Sequence, residues 1–238
     1  MKRLLLALLV AMPFGGMAQI RIPDDDAIER LTGDTASRFF YPRMMSRYLH
    51  CDSTLTLEDY HYLYYGYIFQ PDYDPWTSPA EADSVLSVFW RNENPTPLEC
   101  RQLVEYVHRI MLREPFSPRH INLLIYAYGI MGDHEMEIKN FRRLEYLMET
   151  IMTSGTGLKE DSPWQVLYFN HIEDLILYLD LKQGKHVLVS RSVEYVPLLE
   201  RRNGIKGYYF DFGRLYTRLP DRPEKQKRGA TFNGIRIR

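Results

Sequence analysis

Apolar residues recur at helical spacing through the first two thirds of the chain and at alternating spacing in the last third. Leu103, Val107, Ile110 and Met111 form one stripe of 3.6-residue period, and Phe141, Leu144, Leu147, Met148 and Ile151 form another. Start signals bracket these stripes. Ser78-Pro79, Thr96-Pro97 and Ser117-Pro118 each offer a capping hydroxyl followed by a proline that needs no amide hydrogen at the first helical position. Glu81 and Glu99 complete capping boxes with Ser78 and Thr96, while Thr56 with Asp59 and Asp133 after Gly132 supply two more starts. The pattern predicts helices at about 57–69, 79–90, 97–112, 118–131 and 134–153, preceded by one near 35–48. Residues 118–151 faintly resemble a tetratricopeptide hairpin, but no second copy follows at a 34-residue period.

After Ser154-Gly155-Thr156-Gly157, a glycine-rich stop and chain reversal, the period drops to two. Trp164–Phe169, Leu175–Leu181, His186–Tyr195 and Ile205–Phe212 read as strands, with turn signals at Gln183-Gly184-Lys185 and Asn203-Gly204. Helices first and strands after is the order of an α+β domain. The expectation is one domain over 35–219, helical across 35–153 and strand-rich across 164–219. Its N-terminal antiparallel helical layer should pack on a C-terminal antiparallel sheet of about four strands, since those amphipathic helices must cover one sheet face. A basic tail, 220–238, follows, and Asn233-Gly234 before Ile235 allows a small terminal strand.

The first 34 residues fall outside that domain. Lys2 and Arg3, the apolar run Leu4–Met12, the breakers Pro13, Gly15 and Gly16, and small residues before Gln19 follow the secretory signal order. The run is too short to span a bilayer, which needs about 20 apolar residues. Residues 1–18 therefore read as a signal peptide cleaved between Ala18 and Gln19, with 19–34, including Asp24-Asp25-Asp26, a loosely ordered leader. The expected location is periplasmic or secreted. No later apolar stretch is long enough to anchor the mature chain.

Composition adds two points. Of 30 Lys and Arg, losing Lys2 and Arg3 with the signal leaves 28 against 31 acids, so no global field favours nucleic acid. The ring count is high: 18 Tyr, 11 Phe and 3 Trp. Only Cys51 and Cys100 are present, and in an oxidising compartment they form a candidate disulfide.

Chemistry is sparse. His134-Glu135-Met136-Glu137-Ile138 lacks the second histidine of a zinc helix, so no metal and no cofactor are expected. The densest titratable cluster is His171, Glu173 and Asp174; on a strand, His171 and Glu173 would share a face as an acid–base pair. The same residues also suit a solvated turn. The aromatic belt from Tyr60 to Phe69, continuing through Tyr73 to Trp76, carries two readings as well. It is either a buried helix with hydroxyls at the rim, or a platform of Tyr64, Tyr65, Tyr73 and Trp76 for a sugar or peptide.

Leu57-Glu58-Asp59-Tyr60, followed by Tyr64-Tyr65-Gly66-Tyr67 and Phe69-Gln70, resembles the opening motif of an exported Bacteroidota family, domain of unknown function 4919. Ser154-Gly155-Thr156-Gly157 resembles its Ser-Gly-x-Gly turn, and Gly204-Ile205-Lys206-Gly207-Tyr208-Tyr209-Phe210-Asp211 its terminal strand. Glu173-Asp174-Leu175 stands where that family carries Asp-Glu-Tyr. The resemblance implies a signal peptide and an α+β domain, and it brings no activity, substrate or catalytic residue. The functional expectation is a non-enzymatic binding or structural module of the envelope, with a glycan, peptide or envelope protein as partner. The alternative is a hydrolase of envelope or dietary polymer using Glu173 and Asp174.

Overall fold

The computed structural model describes residues 19–76, 95–218, 231–232 and 235–236. The signal segment with Ala18, the expected helix at 79–90 with its Ser78 and Glu81 cap, and most of the basic tail lie outside those residues. Among the described residues seven α-helices precede or flank one sheet. They are α1 (Asp25–Gly33), α2 (Tyr41–Leu49), α3 (Leu57–Gly66, extended by a 3-10 turn, Tyr67–Phe69), α4 (Pro97–Met111), α5 (Pro118–Met131), α6 (His134–Met152) and α7 (Asn170–Tyr178).

The caps do what their residues dictate. Thr56 and Asp59 close a capping box on α3, Thr96 and Glu99 close one on α4, and Ser117 and Asp133 accept amide hydrogens at the starts of α5 and α6. Gly132 ends α5 with φ +74°, which glycine adopts without a Cβ penalty. The helical face of α5 packs on α4 and α6, and α3 lies against α1, α2 and α6.

Two segments depart from expectation. Residues 25–33, assigned to the leader, form α1: the Asp24 side chain accepts from the Ala27 amide, and Asp25 and Asp26 favour the positive end of the helix dipole. The acids taken as solvated are a helix start, and Ile28 and Thr32 are buried beneath it. The helix expected at 35–48 begins only at Tyr41. Residues 175–181, expected as a strand, belong mostly to α7, because His171, Ile172, Leu175 and Ile176 repeat at helical spacing on its buried side.

The sheet has four strands in the order β1–β4–β3–β2, with β1 at Trp164–Gln165, β2 at Val187–Leu188, β3 at Val193–Arg202 and β4 at Ile205–Asp211. β3 and β4 form a hairpin over Asn203 and Gly204, with φ of 54° and 80°, the paired positive values of a tight turn. The sheet is mixed, not antiparallel throughout: β1 runs parallel to β4, pairing Trp164 with Phe210 and Gln165 with Asp211. β1 leads into a helix instead of a hairpin, so its chain returns to the sheet through a crossover. Two short strands, β5 (Thr231–Phe232) and β6 (Ile235–Arg236), pair in the tail. Helices and sheet share one core, in which Val166, Leu167, Val196 and Phe210 meet Leu63, Tyr64 and Ile151.

The segment before α1 and the turn after β4 are clasped together. Arg214, in the closing 3-10 turn Gly213–Arg218, donates to Asp25 at 2.8 Å, to the Pro23 carbonyl at 3.3 Å and to the Gln165 side chain.

Candidate functional site

The aromatic belt and the titratable cluster, far apart in sequence, are brought together. Tyr64 and Tyr65 are fully buried and Tyr73 nearly so. Their hydroxyls find specific backbone partners, as buried phenols require. Tyr65 donates to the Gln165 carbonyl at 3.1 Å and Tyr73 to that of Leu167 at 2.8 Å, while Tyr67 donates to Arg113 at 2.8 Å. These three tyrosines are core. Trp76 differs: at 39% exposure it lies at the surface beside Phe169 and Tyr216.

Tyr64 is the link. Its oxygen accepts the Leu167 amide hydrogen at 3.1 Å and lies 2.8 Å from His171 Nδ1. Burial, reinforced by the charge of Arg119, pushes the His171 pKa down to about 3, and the ring also bonds the Phe116 backbone. The imidazole is therefore neutral, with Nδ1 accepting from the tyrosine and Nε2–H left to donate to the carbonyl. A ring committed at both nitrogens has no lone pair for a substrate.

Above it lies an arginine clamp. Arg119, at the start of α5, donates through Nε to Asp174 and through Nη2 to Glu173 at 2.9 Å. On helix α7, His171 and Asp174 share the inward side and Glu173 points to solvent, so the expected His171–Glu173 strand pair does not form. Burial raises the Asp174 carboxyl to about 6 although Arg119 pulls it down, and Asp174 Oδ2 has no hydrogen-bond partner. His120 on α5 is held near 4 by burial and then by Arg119, and its Nδ1 stands 4.0 Å from Glu114, whose carboxyl burial raises. The arrangement sets one acid of raised pKa beside a guanidinium. Arg119 gave no sequence signal, because 55 residues separate it from Asp174.

Cys51 and Cys100 are both buried and unbridged, so the candidate disulfide is not formed. Cys51 ends α2 with φ 54° and its sulfur lies 2.7 Å from Arg143 Nη2; Cys100 sits in the first turn of α4. Arg143, buried and with no carboxylate partner among the described residues, caps α2 by donating to the Tyr48 carbonyl at 2.5 Å, with Tyr48 also under its guanidinium. Among the described residues no group of three or more His, Cys, Asp or Glu is placed to hold a metal, and no helix is long and apolar enough to cross a membrane.

Fold and site together define an aromatic-rich α+β domain whose core tyrosines reach across to a mixed sheet. A family model described as Domain of unknown function (DUF4919) matches residues 26–219, and the chain belongs to that family. The matched stretch starts within α1 and extends past β4 to the end of the Arg214 turn, wider than the three motifs alone. Comparisons with curated proteins and with solved structures give no match.

Proposed function

We propose that this chain is exported to the periplasm or beyond by a Bacteroidota cell and works there as a non-enzymatic binding or structural module. Export rests on the order of charge, apolar run and small residues from Lys2 to Gln19. N-terminal sequencing of the protein recovered outside the cytoplasm should begin at Gln19. Recovery of an intact Met1 from the cytosol alone would overturn export.

The single observation that carries the non-enzymatic reading is the closed state of His171: neutral, fully buried and committed to Tyr64 and Phe116. With it gone as a proton carrier, Glu173 and Asp174 are left sharing one arginine. One fact favours the competing hydrolase, the raised pKa of Asp174, a property that general acids also have.

The two readings part under assay on peptidoglycan and on plant polysaccharide, scoring released reducing ends and amino groups. The binding-module reading expects wild type, Asp174→Asn and Glu173→Gln to release the same background amount. Release by wild type that falls about 100-fold or more in a folded Asp174→Asn protein, the scale of lost general-acid catalysis, establishes the hydrolase instead.

A further inference from the structure

The sheet has one covered face and one open face. Val196 on β3 and Phe210 on β4 are fully buried in the core shared with the helices. Their strand neighbours Tyr195, Pro197 and Tyr209 point the other way, as does Val187, which pairs with Tyr195. Two glycines keep this open side flat. A Cβ at Gly207 would stand 2.6 Å from the Tyr195 hydroxyl, and one at Gly184 would stand 3.2 Å from Pro197 Cγ and 3.6 Å from Leu199 Cδ2. The Tyr195 ring therefore lies over Gly207, where it also meets the Tyr209 ring at 4.8 Å.

The open side of an antiparallel hairpin ordinarily carries polar residues. Here it is apolar. Leu199 is 68% exposed, the highest value among the large apolar residues described, with Val187 at 50% and Leu188, at the free edge, at 62%. Positive charge is gathered on the same element. Residues 182–206 hold six Lys and Arg against two Glu, in a mature chain that carries 28 against 31. Both acids are engaged, Glu200 with Lys182 at 3.3 Å and Glu194 with His186 at 3.2 Å. Among the described residues Lys185, Arg191, Arg201 and Lys206 have no ion pair, and all four are exposed. They frame the apolar side: Lys185 ahead of β2, Arg191 in the turn from β2 to β3, and Arg201 and Lys206 flanking Asn203-Gly204.

From this arrangement we propose that the open face and free edge of the sheet seat on an anionic phospholipid surface. Leu199, Val187 and Leu188 enter the acyl boundary, Tyr195 and Tyr209 lie at headgroup depth, and the four cations meet lipid phosphates. A second copy of this chain suits the surface poorly. Pairing two β2 edges about a two-fold axis at Leu188 would set Lys185 of one copy opposite Arg191 of the other, and like charges on an edge oppose strand addition. This inference names a partner for the envelope module proposed above and rests on that reading for its compartment alone.

Co-sedimentation of the mature chain, starting at Gln19, with lipid vesicles tests it. One set of vesicles mixes phosphatidylglycerol with phosphatidylcholine, and the other is phosphatidylcholine alone. The expected result is pelleting with the mixed vesicles, about tenfold or more weaker with the neutral ones, and lost at about 1 M salt, where charges act over only about 3 Å. Lys185→Gln combined with Lys206→Gln should weaken binding about 25-fold, roughly fivefold for each charge. Leu199→Ser should weaken it about tenfold or more by removing an inserted side chain, with circular dichroism unchanged. Ile138→Ser and Lys139→Gln, both on α6, should leave binding as it was. Equal binding to the two kinds of vesicle, or none at about 1 mM lipid, overturns the proposal. So does binding that Leu199→Ser leaves intact, because charge alone would then hold the chain. A chain that stays off vesicles and runs as a dimer that Leu199→Ser splits gives the face to a second copy and refutes the lipid. Vesicle binding is scored apart from export and hydrolysis: its absence leaves both of those readings standing, and an N-terminus at Met1 refutes export without altering it.

Discussion

Lowering the pH from 7 to 5 should remove roughly 4 kcal/mol of folding stability, a substantial share of the typical margin of about 5–15 kcal/mol. His61 and His120 are held near 4 and His171 near 3, each by burial first, against an ordinary value of 6.5. The sign follows from which state takes the proton. The unfolded chain protonates these rings near 6.5 and the folded chain resists, so their contribution is complete above that pH and is lost as pH falls toward 4. Asp174 works in the opposite direction. Its folded value near 6 exceeds the ordinary 3.8, so the folded state gains from protonation across that interval, as it does at Glu114. Three histidines against one well-shifted aspartate leave a net loss of roughly 3 kcal/mol per pH unit near pH 5, a pKa unit being worth about 1.4 kcal/mol per group. Urea unfolding followed by circular dichroism at pH 7 and 5 measures the difference. A stability flat to within about 1 kcal/mol would mean that these rings are hydrated and free to protonate.

The second large effect is expected from Gly155→Ala. A Cβ at Gly155 would stand 2.2 Å from the Pro163 carbonyl oxygen and 2.8 Å from that of Ser162, both backbone atoms that cannot rotate away. The surrounding chain is tightly bonded: Gly157 donates to the Ser162 carbonyl at 2.8 Å, Gln165 to the Ser154 hydroxyl at 2.8 Å, and Tyr209 to the Gly157 carbonyl at 2.7 Å. A shift at Gly155 therefore travels into both β1 and β4. The expected cost is about 4 kcal/mol or more, among the largest single-residue effects, and a fall in Tm of about 8–16 °C for a chain of this size. Gly33→Ala, with nothing within 4 Å of the added carbon, should change stability by less than about 1 kcal/mol. A Gly155→Ala protein melting with wild type would show that the turn has room that its hydrogen bonds deny.

How far the sequence reached depended on whether the signal was local. Thr56, Thr96, Ser117 and Asp133 act on amides a few residues away, and every helix they open begins where those residues place it. The Asn203-Gly204 hairpin was legible for the same reason. Asp24 carried an equally good local signal, but its position beside an expected signal peptide made α1 look like solvated chain. Helix α7 was hidden by composition: Ile and Tyr are strand formers by preference, and tertiary burial of one helical side overrode that preference. The site's defining contacts were beyond reach. Tyr64 meets His171 across 107 residues, and Arg119 meets Glu173 across 54, distances over which spacing carries no information. Parallel pairing of β1 with β4 likewise depends on how α7 and the hairpin fold back together.

The Arg214 clasp has a topological consequence. It ties the chain just before α1 to the turn just after β4, so the matched stretch leaves its body at nearly the point where it enters. Such a unit is a closed bead on the polypeptide. It can be spliced into a surface loop of another protein, or rejoined at its ends and reopened elsewhere, with little strain on the host or on itself.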